Sequence, residues 1–374
     1  MKKFTLSNIK FTVNCSLLLT LVTFFSIHLN AQNQTIRWKQ ALNQKQEWYS
    51  GKEAIRIADN LLIYQEDNGG WPKNIDMARN LNKQEIRAIK TRQAKQSFSE
   101  STLDNRATHS QIRYLVKVYE QTGIERFKIS LLKGVDYLLE AQYENGGWPQ
   151  FYPIRKGYYE HITFNDGAMI GAMNLLKEIA DRHYDFVDNQ RVKKSKLAIE
   201  KGLQVILKTQ IKVNGELTAW CAQYNHKTLE PANARSYELI SISGAESVGI
   251  VQYLMTIENP NQAIITAVLS AVKWFEKVQL TDIRIIKQPD QSLPKGYDLV
   301  IGFAPVNASQ LWARFYEIGT NYPIFPNRDG KINYAFSELS HERRVGYRWL
   351  GDWPKKLMDE DYPKWQEKWN VIDK

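Results

Sequence analysis

The sequence predicts an all-α chain with minor β structure, folded as an α/α toroid of helical hairpins around a central groove. Three observations point there. Apolar residues recur at helical spacing in segment after segment, as at Phe127, Leu131, Val135, Leu138 and Leu139. A punctuating motif also repeats. Gln65-Glu66-Asp67-Asn68-Gly69-Gly70-Trp71-Pro72 returns as Gln142-Tyr143-Glu144-Asn145-Gly146-Gly147-Trp148-Pro149, 77 residues on, and residues 210–220 read as a weaker third copy. Period-two alternation is sparse, with residues 312–318 the best strand candidate. Repeated helical hairpins in one chain suit a toroid whose connecting loops gather at one end.

Each element follows from local chemistry. Asn-Gly-Gly stops the preceding helix, because glycine accepts the left-handed conformation that a helix end needs. Trp-Pro then opens an extended segment. Ile112, Leu115, Val116 and Tyr119 mark a helix between the two strong copies, and Met169, Ala172, Met173, Leu176 and Ile179 mark another. Helical patterns continue through residues 197–207, 247–255 and 263–275, and the charged residues 80–96 read as a loop or a surface helix.

The first 31 residues are set apart. Lys2, Lys3 and Lys10 precede a nearly uncharged apolar run over residues 15–27, and Leu29-Asn30-Ala31 offers a cleavage site. The run is short for a membrane-spanning helix. Residues 1–31 therefore read as a secretory signal peptide and 32–374 as one folded domain, exported to the periplasm or beyond. Loss of the three lysines takes the formal charge from +10 to +7, a balance that suits an anionic polymer. No zinc-ligand cluster, RNP-like motif or Lys/Arg-rich run supports nucleic acid. Cys221 is the one cysteine left after cleavage, so packing and not a disulfide holds the fold, with Cys221 itself a small buried hydrophobe.

Four polar clusters fall where a toroid places its loops. Ser101-Thr102-Leu103-Asp104-Asn105-Arg106-Ala107-Thr108-His109 stands just ahead of a helix, as does His161-Ile162-Thr163-Phe164-Asn165-Asp166-Gly167. Asp104, Thr108 or Asp166 can be a helix N-cap there. The same carboxylates at the mouth of paired helices also suit an oxygen-coordinated cation such as Ca2+. Pro231-Ala232-Asn233-Ala234-Arg235-Ser236-Tyr237-Glu238 forms the third cluster, in which Arg235 has a salt bridge to Glu238 as its structural alternative. Ser243 and Glu246 just beyond have capping-box spacing. The fourth, Asn327-Arg328-Asp329-Gly330-Lys331, reads as a turn.

Together these motifs resemble the pectate lyases of polysaccharide lyase family 10. The stretches that carry the likeness run from Asn68-Gly69-Gly70-Trp71-Pro72-Lys73-Asn74 to about Pro354. They include Thr102-Leu103-Asp104-Asn105, Ile162-Thr163-Phe164-Asn165-Asp166, Leu217-Thr218-Ala219-Trp220, Ala234-Arg235, Tyr237-Glu238, Leu311-Trp312-Ala313-Arg314-Phe315-Tyr316, Arg328-Asp329-Gly330 and His341-Glu342-Arg343-Arg344. The resemblance implies a monomer that cleaves polygalacturonate, an acidic polysaccharide, by β-elimination. It places Arg235 as the base that takes the C5 proton and Asp104 and Asp166 as ligands of Ca2+. It puts Asn105 and Arg328 against the uronate. Arg106, Asn233, Ile240 and Ile242 depart from the residues usual in the family.

That chemistry has a physical logic. The C5 proton lies α to an ionised carboxylate, and its removal builds a second negative charge, which a cation on the carboxylate offsets. An arginine grips a carboxylate at two points. A guanidinium is ordinarily always protonated, so an arginine base needs its pKa brought down, and an alkaline optimum follows. The same two aspartates on this barrel suit a glycoside hydrolase, and the many aromatics suit a carbohydrate-binding protein.

Overall fold

The computed structural model describes residues 36–95, 99–305 and 310–371. The expected signal peptide lies outside the described residues. Eight helices carry the architecture: α1 (Lys52–Tyr64), α2 (Lys83–Lys95), α3 (His109–Thr122), α4 (Glu125–Glu140), α5 (Ala168–Ala180), α6 (Asn189–Thr209), α7 (Glu246–Met255) and α8 (Gln262–Lys277). Among the described residues no helix is long and apolar enough to cross a membrane.

The helices form two layers. Helices α3, α5 and α7 pack side by side in turn, while α1, α4, α6 and α8 stand behind them, each against its neighbour. The outer helices α1, α4 and α6 each lead through a connecting segment to the next inner helix, each inner helix turns back into an outer one, and α8 leads instead into short strands and a hairpin. This is the α/α toroid that the periodicities predict. Gly123, in the left-handed region at φ 65°, makes the tight turn from α3 to α4. The surface helix α2 buries none of its side chains, as its charge pattern leads one to expect.

The repeated motif is a joint between outer helices. The Nε2 amide of Gln65 donates to Gly69 O within its own loop and to Ser130 O on α4, both at 2.9 Å. Gln142 does the same to Gly146 O at 2.9 Å and Ala198 O on α6 at 2.8 Å. Gln210 joins Thr218 O at 2.8 Å and Ala267 O on α8 at 2.9 Å, which makes the weak third copy a true one. The indoles of Trp71, Trp148, Trp220 and Trp312 are buried, and each donates at 2.8 Å to a carbonyl near the end of the outer helix before it: Leu61, Leu138, Ile206 and Phe275. Trp312 thus supplies a fourth copy that its sequence surroundings conceal. Gly69 and Gly146 are obligatory: a Cβ there would meet the carbonyl oxygens of Lys133 and Lys201 at 2.3 and 2.4 Å, and both sit at positive φ.

Among the described residues, strand structure is confined to short pairs and one longer hairpin, Ile283–Pro289 with Tyr297–Phe303. The sequence shows the candidate at residues 312–318, found as Trp312–Ala313 and Phe315–Tyr316, but not this hairpin. Its strands are exposed or half-buried throughout, so no clean apolar alternation marks them. Cys221 is buried, as expected.

Candidate active site

Three connecting segments converge on the inner-helix ends in one register. The backbone N–H groups of Thr102, Thr163 and Ser243 donate to the carbonyls of Trp71, Trp148 and Trp220 at 3.1, 3.1 and 2.7 Å. Two residues on stand Asp104, Asn165 and Ala245; three residues on stand Asn105, Asp166 and Glu246. The first two copies make the same 3-10 turn, with its second residue left-handed: Asn105 at φ 50°, ψ 35° and Asp166 at φ 51°, ψ 22°. Asparagine and aspartate tolerate that conformation better than other side chains with a Cβ. The chain therefore uses one backbone device twice, with the acid and the amide exchanged.

This corrects the capping alternatives. Asp104 does not cap α3, and neither does Thr108 at φ 65°, whose Oγ1 instead accepts from Trp71 N at 3.1 Å and donates to Thr102 O at 2.8 Å. Asp166 does not cap α5, where Gly167 holds that place. The Ser243–Glu246 capping box is half made. Ser243 Oγ accepts from Glu246 N at 3.1 Å, but the Glu246 carboxylate takes the Ser243 hydroxyl and the Arg314 guanidinium instead of the Ser243 backbone.

Asp104 is buried, with 4% of its surface exposed. One carboxylate oxygen accepts from Lys73 Nζ, and the other, Oδ1, is buried without a partner. Asn105 is exposed and donates to Asn74 Oδ1 at 2.8 Å. Asp166 is half-exposed, 3.6 Å from Arg314 Nη2 and 3.2 Å from Asn165 Nδ2. Burial raises its pKa, Arg314 opposes the rise, and Glu246, Asp104 and Glu238 reinforce it. Four carboxylates thus share one neighbourhood. Beneath them Arg314 is largely buried; burial works against its charge, but Glu246 and its other anionic neighbours outweigh this and hold it protonated.

The basic side of the site is built on Tyr237. Arg235 and Arg328 lie 5.0 and 5.4 Å from its ring centre, and Arg343 lies 4.3 Å away. The structure therefore brings the two arginines predicted from sequence together. Arg235 is gripped by Glu238, with Nε donating to Oε2 at 2.8 Å and Nη2 donating to Oε1. This is the salt bridge given above as the structural alternative. It pushes the Arg235 pKa further above the ordinary guanidinium value, the opposite direction from the one an arginine base needs. Arg328 is exposed on the expected turn and forms a two-point pair with Glu342 at 3.0 and 2.8 Å. Tyr347 ties the two sides together: its hydroxyl donates to Glu238 Oε1 at 3.0 Å and its ring lies 5.0 Å from the Arg314 guanidinium.

Lys73, Arg314, Glu246 and Tyr347 are the members that residue patterns alone do not reveal. Glu246 looks like a local cap, and the other three act across 31 to 109 residues of sequence. A cavity of about 570 Å3 lies elsewhere, between the exposed hairpin and Phe325, Tyr334 and Phe336, and contains none of the predicted site residues.

The two-layered helical hairpins form an α/α toroid that presents acids and arginines from its connecting segments, and the comparisons with known proteins say which family it belongs to. Residues 65–358 match the family model for pectic acid lyase, and the chain belongs to that family, the pectate lyases among the polysaccharide lyases. It is similar to the family 10 polysaccharide lyase from Cellvibrio cellulosa, at 33% identity and a TM-score of 0.70, over 87% of this chain and 95% of that one. It is equally similar, at 33% identity and 0.70, to an aspartate-to-alanine mutant of the Cellvibrio cellulosa lyase in complex with trigalacturonic acid, over 86% and 95% of the two chains. A comparison with curated proteins finds no match.

The residues present fit a hard divalent cation. Asp104 Oδ1 is a buried carboxylate oxygen without a hydrogen-bond partner, on a carboxylate whose other oxygen is paired with Lys73, and Asp166 stands in the same acidic neighbourhood. Among the described residues no group of three or more His, Cys, Asp or Glu side chains is placed to hold a metal alone. The pair accordingly suits a cation that takes its remaining oxygens from substrate and water.

Proposed function

We propose that this pectate lyase is exported, acts as a monomer with residues 32–374 as its catalytic domain, and cleaves de-esterified polygalacturonate by Ca2+-assisted β-elimination. Asp104 and Asp166 hold the cation, Asn105 and Arg328 grip the uronate, and Arg235 takes the C5 proton. The unpartnered buried Oδ1 of Asp104, beside Asp166, is the observation that supports this reading most. The complex of the Cellvibrio cellulosa relative with trigalacturonic acid supports the substrate class.

Bound Ca2+ supplies charge neutralisation for the substrate carboxylate. The chain's own residues do the rest. Arg328 offers a planar two-point grip once it exchanges Glu342 for the sugar carboxylate. Glu238 engages Nε and Nη2 of Arg235, and among the described residues nothing hydrogen-bonds Nη1, so Nη1 is the nitrogen to meet C5. As the C5–H bond breaks, its proton passes to Arg235, its electron pair becomes the C4–C5 double bond, and the C4–O bond breaks. The departing oxygen takes a proton from solvent. Arg235 enters that step deprotonated, so the weakening of its pair with Glu238 when substrate fills the site is part of the reading.

Incubation with polygalacturonate, first with Ca2+ and then with chelator, tests the proposal. Unsaturated product absorbing in the ultraviolet, dependent on Ca2+, is the expected result. New reducing ends without ultraviolet absorbance would assign a hydrolase, and no product at all with Ca2+ present would sink the claim.

A further inference from the structure

The register of the repeated turn singles out Arg106. It stands four residues after Thr102, as Gly167 stands four after Thr163, and the two share a left-handed backbone, at φ 63° and 71°. Glycine is the natural occupant of such a position, since a side chain with a Cβ is crowded there. At Gly167 an added Cβ would meet nothing within 4 Å, so the position opens into free space. The first copy of the turn instead carries a full arginine side chain at this disfavoured position, and that side chain is exposed. Backbone strain of this kind persists where the residue is needed for something other than folding.

Charge bookkeeping around the site agrees. Lys73 is neutralised by Asp104, Arg235 by Glu238, Arg314 by Glu246 and Arg328 by Glu342. Arg106 alone of these five site cations has no hydrogen bond or ion pair among the described residues, although it directly follows Asp104-Asn105 in the turn. Its charge, after burial and Arg113, helps to disfavour protonation of buried His109. A cation that gives up no protein partner binds an incoming anion at the least cost.

We infer that Arg106 is a further substrate-binding residue, which takes the carboxylate of a second uronate next to the one held at the cation, so that the enzyme prefers runs of unesterified sugars. This rests on the polygalacturonate reading above.

The test compares wild type with Arg106→Gly, Arg106→Lys and Arg106→Gln. Titration of trigalacturonic acid by calorimetry and kinetics on polygalacturonate and on methyl-esterified pectin are the readouts. Arg106→Gly is expected to lower trigalacturonate affinity and polygalacturonate kcat/KM about tenfold, chiefly through KM, with Tm unchanged or raised because the backbone strain is relieved. The loss should shrink on esterified pectin and in high salt, and Arg106→Lys should recover part of it. Wild-type cleavage with an Arg106→Gly affinity and KM equal to wild type would overturn this inference alone. A wild type that neither binds trigalacturonate nor cleaves polygalacturonate would overturn both readings. A fall in Tm for Arg106→Gly, with equal losses on both polymers, would assign Arg106 a structural role instead.

Discussion

Glu238 holds Arg235 by two of its three guanidinium nitrogens, and the Tyr347 hydroxyl holds Glu238 in turn. The pair fixes the arginine's direction while it stabilises the protonated form. Arg235→Lys keeps the charge but loses the planar fork. Its kcat on polygalacturonate should fall at least about 100-fold while trigalacturonate affinity stays within a few fold. Glu238→Gln removes the anion that raises the Arg235 pKa, so the ascending limb of kcat/KM, where the rate climbs with pH as the base loses its proton, should move to lower pH. An unshifted profile in a folded Glu238→Gln variant would remove Arg235 from the role of titrating base.

The cation assignment predicts linked effects on stability and rate. A ligand that binds only the native state raises Tm in proportion to the logarithm of its concentration over Kd. With trigalacturonate present, Ca2+ should raise the wild-type Tm and chelator should reverse this. Asp104→Asn and Asp166→Asn should each raise the Ca2+ concentration for half-maximal activity about tenfold or more and erase the Tm response. Scanning calorimetry and Ca2+ titrations of rate decide it, and a Tm response retained in both variants would place the cation elsewhere.

His109 is expected to make the protein acid-labile. It is buried, its Nε2 has no partner, and burial, with Arg113 and Arg106, pushes its pKa from 6.5 down to about 3. The unfolded chain binds a proton near pH 6.5 that the folded chain refuses until about pH 3, so the unfolded state gains as pH falls through that window. Stability should be fully present above pH 6.5 and fall by up to about 1.4 kcal/mol per pH unit below it. Urea unfolding of wild type and His109→Gln between pH 7 and pH 4 checks this; the variant's midpoint should change with a shallower slope.

Much of this molecule is legible in its sequence, for reasons that are local. The Asn-Gly-Gly-Trp-Pro joints announce themselves because only glycine fits beside the Lys133 and Lys201 carbonyls. The amphipathic helices show because each buries one face. Asp104, Asp166, Arg235 and Arg328 stand out in polar clusters between helices, and the fold does gather them. What the sequence conceals is tertiary. Glu246 has the spacing of a cap, yet its carboxylate answers to Arg314, 68 residues away. Lys73 reads as the end of a turn motif until Asp104 comes to meet it. The hairpin at residues 283–303 escapes notice because it packs on the outside and buries too little to pattern its strands.

The glutamine joints yield a prediction on stability with a built-in ranking. Each amide satisfies two backbone carbonyls, one in its own loop and one on the next outer helix, so loss of the side chain leaves two acceptors to find water. Gln210 is 5% exposed and its two bonds lie in the interior, where water cannot replace them. Gln142 is half-buried, and solvent can reach part of its site. Since an unsatisfied buried polar group costs about 1–3 kcal/mol, Gln210→Leu should destabilise by roughly 2–4 kcal/mol and Gln142→Leu by about half of that. Urea denaturation measures both. An equal cost at the two sites would mean that the joints act by packing and not by hydrogen bonding, because the leucine fills similar space in each.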